Sequence, residues 1–408
     1  MALMAHGVRW RLSAMMFMQY MVWGAWYPVF SAYLEKHGFT GFQIGMLYGL
    51  LPIGCMIAPF IGGQLADRYF STELLLTILH ISGGIVLLVT ARVTQYQSLL
   101  VLMFIWSLVY APTLALSNSI TFHHLPSAEK KFGLVRVFGT LGWIFSGLLL
   151  TLLRTVLPET SSGMAFLGGA DSLWLGGAIS ILLGIFCMAL PATPPARSGQ
   201  SPWAFLAAFK LLRDRSFLLF IIVSFIVATE LMFYYVLTAP FLQTLGISAE
   251  RVPAVMTIAQ IAEIGAMLAL PFMIDRWGIR WTMTVGILAW PIRYAVFAFG
   301  EPTWLVVAAL SLHGICYVCF FVVSYIYVNS VAPADIRASA QAFITFVTLG
   351  AGLYLGSIFA GWIRDYFTTP TAINYTAVFL VPCALTVLCA ILFLLTFREN
   401  PETAIVNA

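Results

Sequence analysis

Apolar runs long enough to cross a hydrocarbon slab as helix, about 20 residues each, recur from one end of the sequence to the other. Candidate spans fall near 10–34, 42–66, 74–91, 97–121, 132–156, 172–190, 216–243, 251–274, 281–299, 303–328, 336–362 and 372–397, twelve in all. Lipid offers no hydrogen bonds, so each run must satisfy its own backbone, and helix does this segment by segment. Only 9% of the residues are charged and 61% are hydrophobic, whereas ordinary soluble domains carry about 25% charged. Such a chain cannot cover a water-facing surface. The expected class is an all-α membrane protein embedded in a lipid bilayer.

The longest polar connection, residues 191–215, holds Pro191, Pro194, Pro195, Arg197, Lys210, Arg213 and Arg215. It divides the chain into an N-terminal six-span bundle (1–190) and a C-terminal one (216–408) with a short tail. Of the twenty basic residues, Arg136 and Arg293 fall within spans. Five (Lys36, Arg92, Arg154, Arg251, Arg364) lie on one side and the rest on the other. The positive-inside rule puts the richer side, with both termini and the central connection, in the cytoplasm. Arg9 and Arg11 before Leu12–Ala25 imitate a secretory signal, but the run is too long and has no small-residue cleavage site before Trp26, so it reads as the first span. A net charge of +4, thinly spread, gives no reason to expect nucleic acid. All six cysteines lie in apolar segments and are expected to stay free thiols.

Polar residues inside spans are costly and mark function. Glu263 is the deepest, with Gln260 one turn before it on the eighth span. An acid that gains and loses a cationic partner can take up and release a proton, so Glu263 is the expected proton-coupling group. Arg136, Thr140 and Trp143 share one face of the fifth span at i, i+4 and i+7, a cation, a hydroxyl and an aromatic plane suited to a polar, ring-bearing solute. His313, Tyr317 and Phe321 form a similar stripe on the tenth. Gln19, Trp23, Tyr110, Asn118 and Glu230 are additional candidates for a cavity lining, Glu230 being equally suited to a structural role, while His80 reads as structural. Arg293 reads as a structural ion pair or hydrogen-bonding group. No metal-ligand cluster, nucleophile motif or phosphate loop stands out, so neither metal, cofactor nor enzymatic activity is expected.

Asp67-Arg68 after the second span is echoed by Asp275-Arg276 after the eighth. The pairs resemble the loop motif of the major facilitator superfamily, which implies two six-helix bundles and a central cavity near the midplane. Over nearly the whole length, the chain resembles the nucleoside:proton symporters of that superfamily. The likeness rests on Gln19 to Trp26, Tyr110-Ala-Pro112-Thr113 through Asn118, Arg136-Val-Phe-Gly-Thr140, Gln260-Ile-Ala-Glu263, Pro271-Phe272 and Ile336 to Gln341. It implies proton-coupled nucleoside import by alternating access across a bacterial inner membrane, by a protein expected to be monomeric. Arg136, Thr140 and Trp143 would face Gln260 and Glu263 across the cavity, with Tyr317 also at the site. Three positions depart from the pattern. Met232 and Tyr235 stand where the seventh span usually carries amides, His313 stands where a tyrosine is usual, and Val318 replaces a common acid. Met232, Tyr235 and His313 enter the expected substrate site and also motivate an alternative solute, a sugar or other small hydroxylated metabolite.

Overall fold

The computed structural model describes residues 2–58, 70–125, 128–157, 170–194, 204–333 and 335–398. The Asp67-Arg68 motif and Arg197 lie outside them. Nine helices among the described residues are long and apolar enough to cross a membrane. One of these, Val252–Phe299, is two expected spans joined end to end. Ala2–Trp26 and the shorter Asp171–Cys187 supply the first and sixth. Every expected span therefore has its helix.

The ends differ from expectation where proline and glycine act. The first span stops at Trp26 and resumes as a short helix, Phe30–Lys36, because Pro28 in the intervening turn has no N–H to donate. The eighth and ninth spans are two helices, as expected, within Ile258–Phe299, and they meet at a kink at Gly278, at φ 75° and ψ 174°. That backbone is open to glycine and strained for other residues, so the chain turns there without a loop. The tenth and eleventh spans each hold a π-helical turn, Tyr317–Val322 and Phe346–Gly352.

The chain forms two compact units. One gathers most of the first half together with Leu242–Thr257, and the other most of the second half together with Thr40–Gly45. Particular bonds explain the exchanged segments. In the first unit Arg154 grips Asp171 through two bonds, Nε to Oδ2 at 2.6 Å and Nη2 to Oδ1 at 2.8 Å, and gives Nη1 to the Ala249 carbonyl at 2.9 Å. Thr151 Oγ1 accepts from the Ala254 amide at 3.0 Å. In the second unit the Asp365 carboxylate accepts from the amides of Gly41 and Phe42 at 2.6 and 2.7 Å. These are the unsatisfied first-turn N–H groups of Gly41–Ala58, where a negative charge is favoured.

Within each unit, spans meet backbone to backbone at glycines, as expected where hydrocarbon leaves van der Waals packing to hold helices together. Gly142 lies against the Phe17 carbonyl, Gly84 against the Gly177 carbonyl, Gly286 against Cys319 and Phe320, and Gly314 against Ala262 and Glu263. A β-carbon at Gly142 would overlap the Phe17 backbone, whereas one at Gly265 would meet no atom within 4 Å. Gly142→Ala is therefore expected to cost about 1–3 kcal/mol through overpacking. Gly265→Ala should be neutral or stabilising by up to about 1 kcal/mol through helix propensity. Thermal unfolding of the two purified variants checks this, and equal shifts would contradict the close approach.

Candidate functional site

The first unit carries the Arg136 column. Arg136 and Thr140 are half-buried and Trp143 is buried on one helix, Ala128–Val156. The guanidinium carbon of Arg136 lies 4.0 Å from the centre of the Tyr20 ring, a cation–π contact from the first span. Trp143 meets Trp23 edge to face at 5.2 Å, and Trp23 in turn meets Tyr110 at 6.5 Å. Cation, hydroxyl and aromatic plane therefore share one face, backed by the aromatic residues of the first and fourth spans. Tyr20 is the member of this group that the sequence did not single out. Beside it lies a cavity of about 10 Å³, bordered by Gly24, Trp143, Gly147, Pro253, Met256 and Thr257. That volume holds about one water.

Gln19 and Tyr110 belong to a closed network instead of a cavity wall. Gln19 Nε2 donates to Thr113 Oγ1 at 2.8 Å, Thr113 Oγ1 donates to the Tyr110 carbonyl at 2.6 Å, and the Tyr110 hydroxyl donates back to the Gln19 carbonyl at 2.9 Å. Since the Thr113 proton is committed, Thr113 can only accept from Gln19, which fixes the amide orientation. Gln19 Oε1, 2.7 Å from His80 Nε2, must then accept a proton from His80. Ser180 Oγ closes the set by donating to the His80 carbonyl at 2.8 Å. Gln19, His80, Tyr110, Thr113 and Ser180 are all buried, so four spans are tied together without a formal charge. Asn118 contributes a sealed Oδ1 that has no hydrogen-bond partner among the described residues.

The second unit holds the acid. Glu263 is half-buried and Gln260 is buried one turn before it, and the backbone at Ala262–Glu263 is pressed onto Gly314 of the tenth span. This contact places His313, the residue before Gly314, in the same layer as Glu263. The His313 ring stacks on Tyr234 at 4.3 Å and 28°, lies parallel to Tyr317 at 6.3 Å and 17°, and meets Tyr235 edge-on at 5.9 Å. Tyr235 and Tyr317 are half-buried, whereas Met232, Glu230 and Val318 are fully buried. His313 is itself buried, and its Nδ1 lies 3.0 Å from Arg293 Nη1. A guanidinium can only donate, so His313 accepts at Nδ1 and is neutral, with its proton on Nε2. The hydrogen-bonding role expected for Arg293 is present, with an imidazole as the acceptor.

Comparison with known proteins places the chain in a family. Residues 6–402 match the family described as nucleoside H+ symporter. The chain belongs to that family. It is similar to the putative nucleoside transporter YegT of Escherichia coli (strain K12), at 34% identity over 97% of this chain and 95% of that one. Xanthosine permease of the same organism is 29% identical over 96% of each chain. Among solved structures, the nucleoside transporter NupG superposes with a TM-score of 0.85 at 28% identity, over 96% of this chain and all of that one. The fold is that of the major facilitator superfamily, built from two six-helix bundles.

The Gln19–His80 network makes a direct prediction. His80→Leu leaves the buried Gln19 Oε1 without a donor and should lower stability by about 1–3 kcal/mol. His80→Gln, which keeps an N–H of similar reach, should recover part of the loss. Thermal unfolding of both proteins reads the difference.

Proposed function

We propose that this chain is a proton-coupled importer that carries nucleosides across the bacterial inner membrane by alternating access, as a monomer with both termini in the cytoplasm and without enzymatic activity. Family membership supports the transport class. The observation that carries the coupling is Glu263, an acid on an apolar span whose backbone is clamped to Gly314 and whose neighbour Gln260 is buried. Its position along the tenth span is thereby set, while its side chain keeps partial exposure. Such a group can exchange a proton with water and still sense what occupies the layer around it.

In this reading Arg136, Thr140 and Trp143 of the first unit bind the solute through a cation, a hydroxyl and a ring face. In the second unit Gln260 supplies an amide, Tyr235 and Tyr317 supply aromatic planes, and Met232 supplies an apolar surface. His313, with its tautomer fixed by Arg293, offers an N–H and therefore suits an acceptor on the solute. Protonation of Glu263 accompanies loading, and its deprotonation on the cytoplasmic side accompanies release.

Uptake of labelled uridine and adenosine into proteoliposomes tests this. An imposed difference of one pH unit should drive about tenfold accumulation at one proton per solute. Glu263→Gln should still bind nucleoside in a thermal-shift assay and concentrate it much less than wild type. Accumulation indifferent to the pH difference would reject coupling, and competition by sugars in place of nucleosides would change the solute.

A further inference from the structure

Two fully buried charged residues of the second unit, Glu230 on the seventh span and Arg293 on the ninth, are not used by the transport reading. Both carboxylate oxygens of Glu230 are sealed from solvent and have no hydrogen-bond partner among the described residues. The surrounding turn is held from two sides. The Tyr294 hydroxyl donates to the Glu230 carbonyl, and Gly352 and Gly356 of the eleventh span press onto Ala228 and the Thr229 backbone. Arg293 donates from Nη1 to His313 Nδ1 at 3.0 Å and also meets the Tyr294 hydroxyl. The edge formed by Nε and Nη2 is sealed and has no hydrogen-bond partner among the described residues.

That free edge is the fork a carboxylate fits side-on with two parallel bonds. The two groups act on each other electrostatically and yet make no hydrogen bond. An ionised carboxylate with no donor in a dry interior is very costly. The guanidinium does not depend on Glu230 for its stabilisation. Its carbon lies 4.5, 4.7 and 5.1 Å from the ring centres of Trp290, Tyr294 and Tyr234, so three aromatic faces and an imidazole share its charge. Glu230 therefore belongs here as the neutral acid, while Arg293 stays charged.

Other titratable groups in reach do not fit a proton-carrying role. His313 already spends Nδ1 on Arg293, and a second proton would break that bond and set two cations side by side. Tyr234, Tyr294 and Cys316 lie around Arg293, and Tyr294, Cys383 and Cys389 lie near Glu230. Each of these would have to become an anion in a dry interior. Arg293 also faces Tyr234, Tyr294 and Cys316, but a phenol or thiol is a far weaker acid than a carboxyl, so Glu230 is the group that gives up its proton most readily.

We propose that Glu230 is a second proton-carrying group of the transporter, switching between a neutral acid held apart from Arg293, as in this structure, and a carboxylate seated on the free Nε–Nη2 edge. On release, in a state of the transport cycle that admits water to this layer, the carboxyl O–H breaks, water takes the proton, and two N–H···O bonds form to Arg293. On uptake from water the steps reverse. The proposal rests on the coupled-transport reading and adds a second acid to Glu263.

The test uses full-length protein in proteoliposomes with labelled uridine, measuring exchange without a gradient and protons moved per uridine. Glu230→Gln should keep exchange and lower the proton-to-uridine ratio by about twofold, one of two acids having been removed. E230Q/R293Q, which removes both charges together, should keep the lowered ratio. A purely structural ion pair would instead be repaired by the double variant, so a restored ratio there overturns the proposal. An unchanged ratio in Glu230→Gln overturns it as well. Should that variant not assemble, Glu230→Asp must hold the wild-type ratio and E230Q/R293Q must not, and failure of either condition overturns it. Wild-type protein that exchanges uridine and moves no protons rejects the coupled-transport reading, and this proposal with it. A wild-type proton-to-uridine ratio in Glu230→Gln rejects this proposal alone.

Discussion

A polar atom buried among apolar helices has no water to turn to, and its partner must come from the protein itself. The two units meet this constraint in different ways. In the first, Gln19, His80, Thr113, Tyr110 and Ser180 hand donors to acceptors around a closed circuit with no net charge. Each proton position follows from the one before. Removing one member leaves a neighbour unsatisfied, so the circuit fixes how the first, third, fourth and sixth spans are rotated. In the second unit a full positive charge is spread over ring faces, and only one edge of the guanidinium is engaged. The first arrangement is rigid by completeness, and the second leaves hydrogen-bonding capacity unspent.

Glycine decides where such layers can form. A side-chain bond between helices needs the backbones near each other, and at Gly142, Gly286 and Gly314 the neighbouring chain occupies the space of a β-carbon. Gly314 of the tenth span sets the height at which Glu263 of the eighth packs against it, and His313 next to Gly314 carries the stacked rings and the bond to Arg293. The π-helical turn beginning at Tyr317 follows immediately. Wide turns of this kind often mark functional sites, and here one adjoins the layer that holds the acid. Packing and chemistry thus meet within five residues, His313 to Tyr317.

Much of the architecture was legible because crossing a bilayer imposes a one-dimensional requirement: a run of apolar residues of fixed length. The twelve runs could be read directly, as could the faces of single helices, such as Arg136, Thr140 and Trp143 at i, i+4 and i+7. Helix ends were less legible. Pro28 interrupts the first span, and Gly278 turns the chain without the loop that Asp275-Arg276 suggested. Partners between spans were hidden altogether. Tyr20 under Arg136 and His313 beside Arg293 depend on how two helices are rotated against each other, and no periodicity within one helix records that. Gln19 could be picked out as polar, but its enclosure by Thr113 and His80 needed three neighbouring spans in place.

The two buried histidines show how a partner, and not residue type or depth, sets a role. Both are fully enclosed. His80 faces a carbonyl-type oxygen and must donate from Nε2, whereas His313 faces a guanidinium and must accept at Nδ1. A proton added to His80 would fall on Nδ1 and leave its bond to Gln19 standing, at the cost of a buried charge. One added to His313 would remove its hydrogen bond to Arg293 and place a cation against a cation. Imidazole is often the first choice for proton work near neutral pH, but the guanidinium bars His313 from it. The same cation would stabilise an ionised carboxylate. Proton exchange in this layer therefore falls to an acid, and the Nε–Nη2 edge of Arg293 is shaped to receive its charged form.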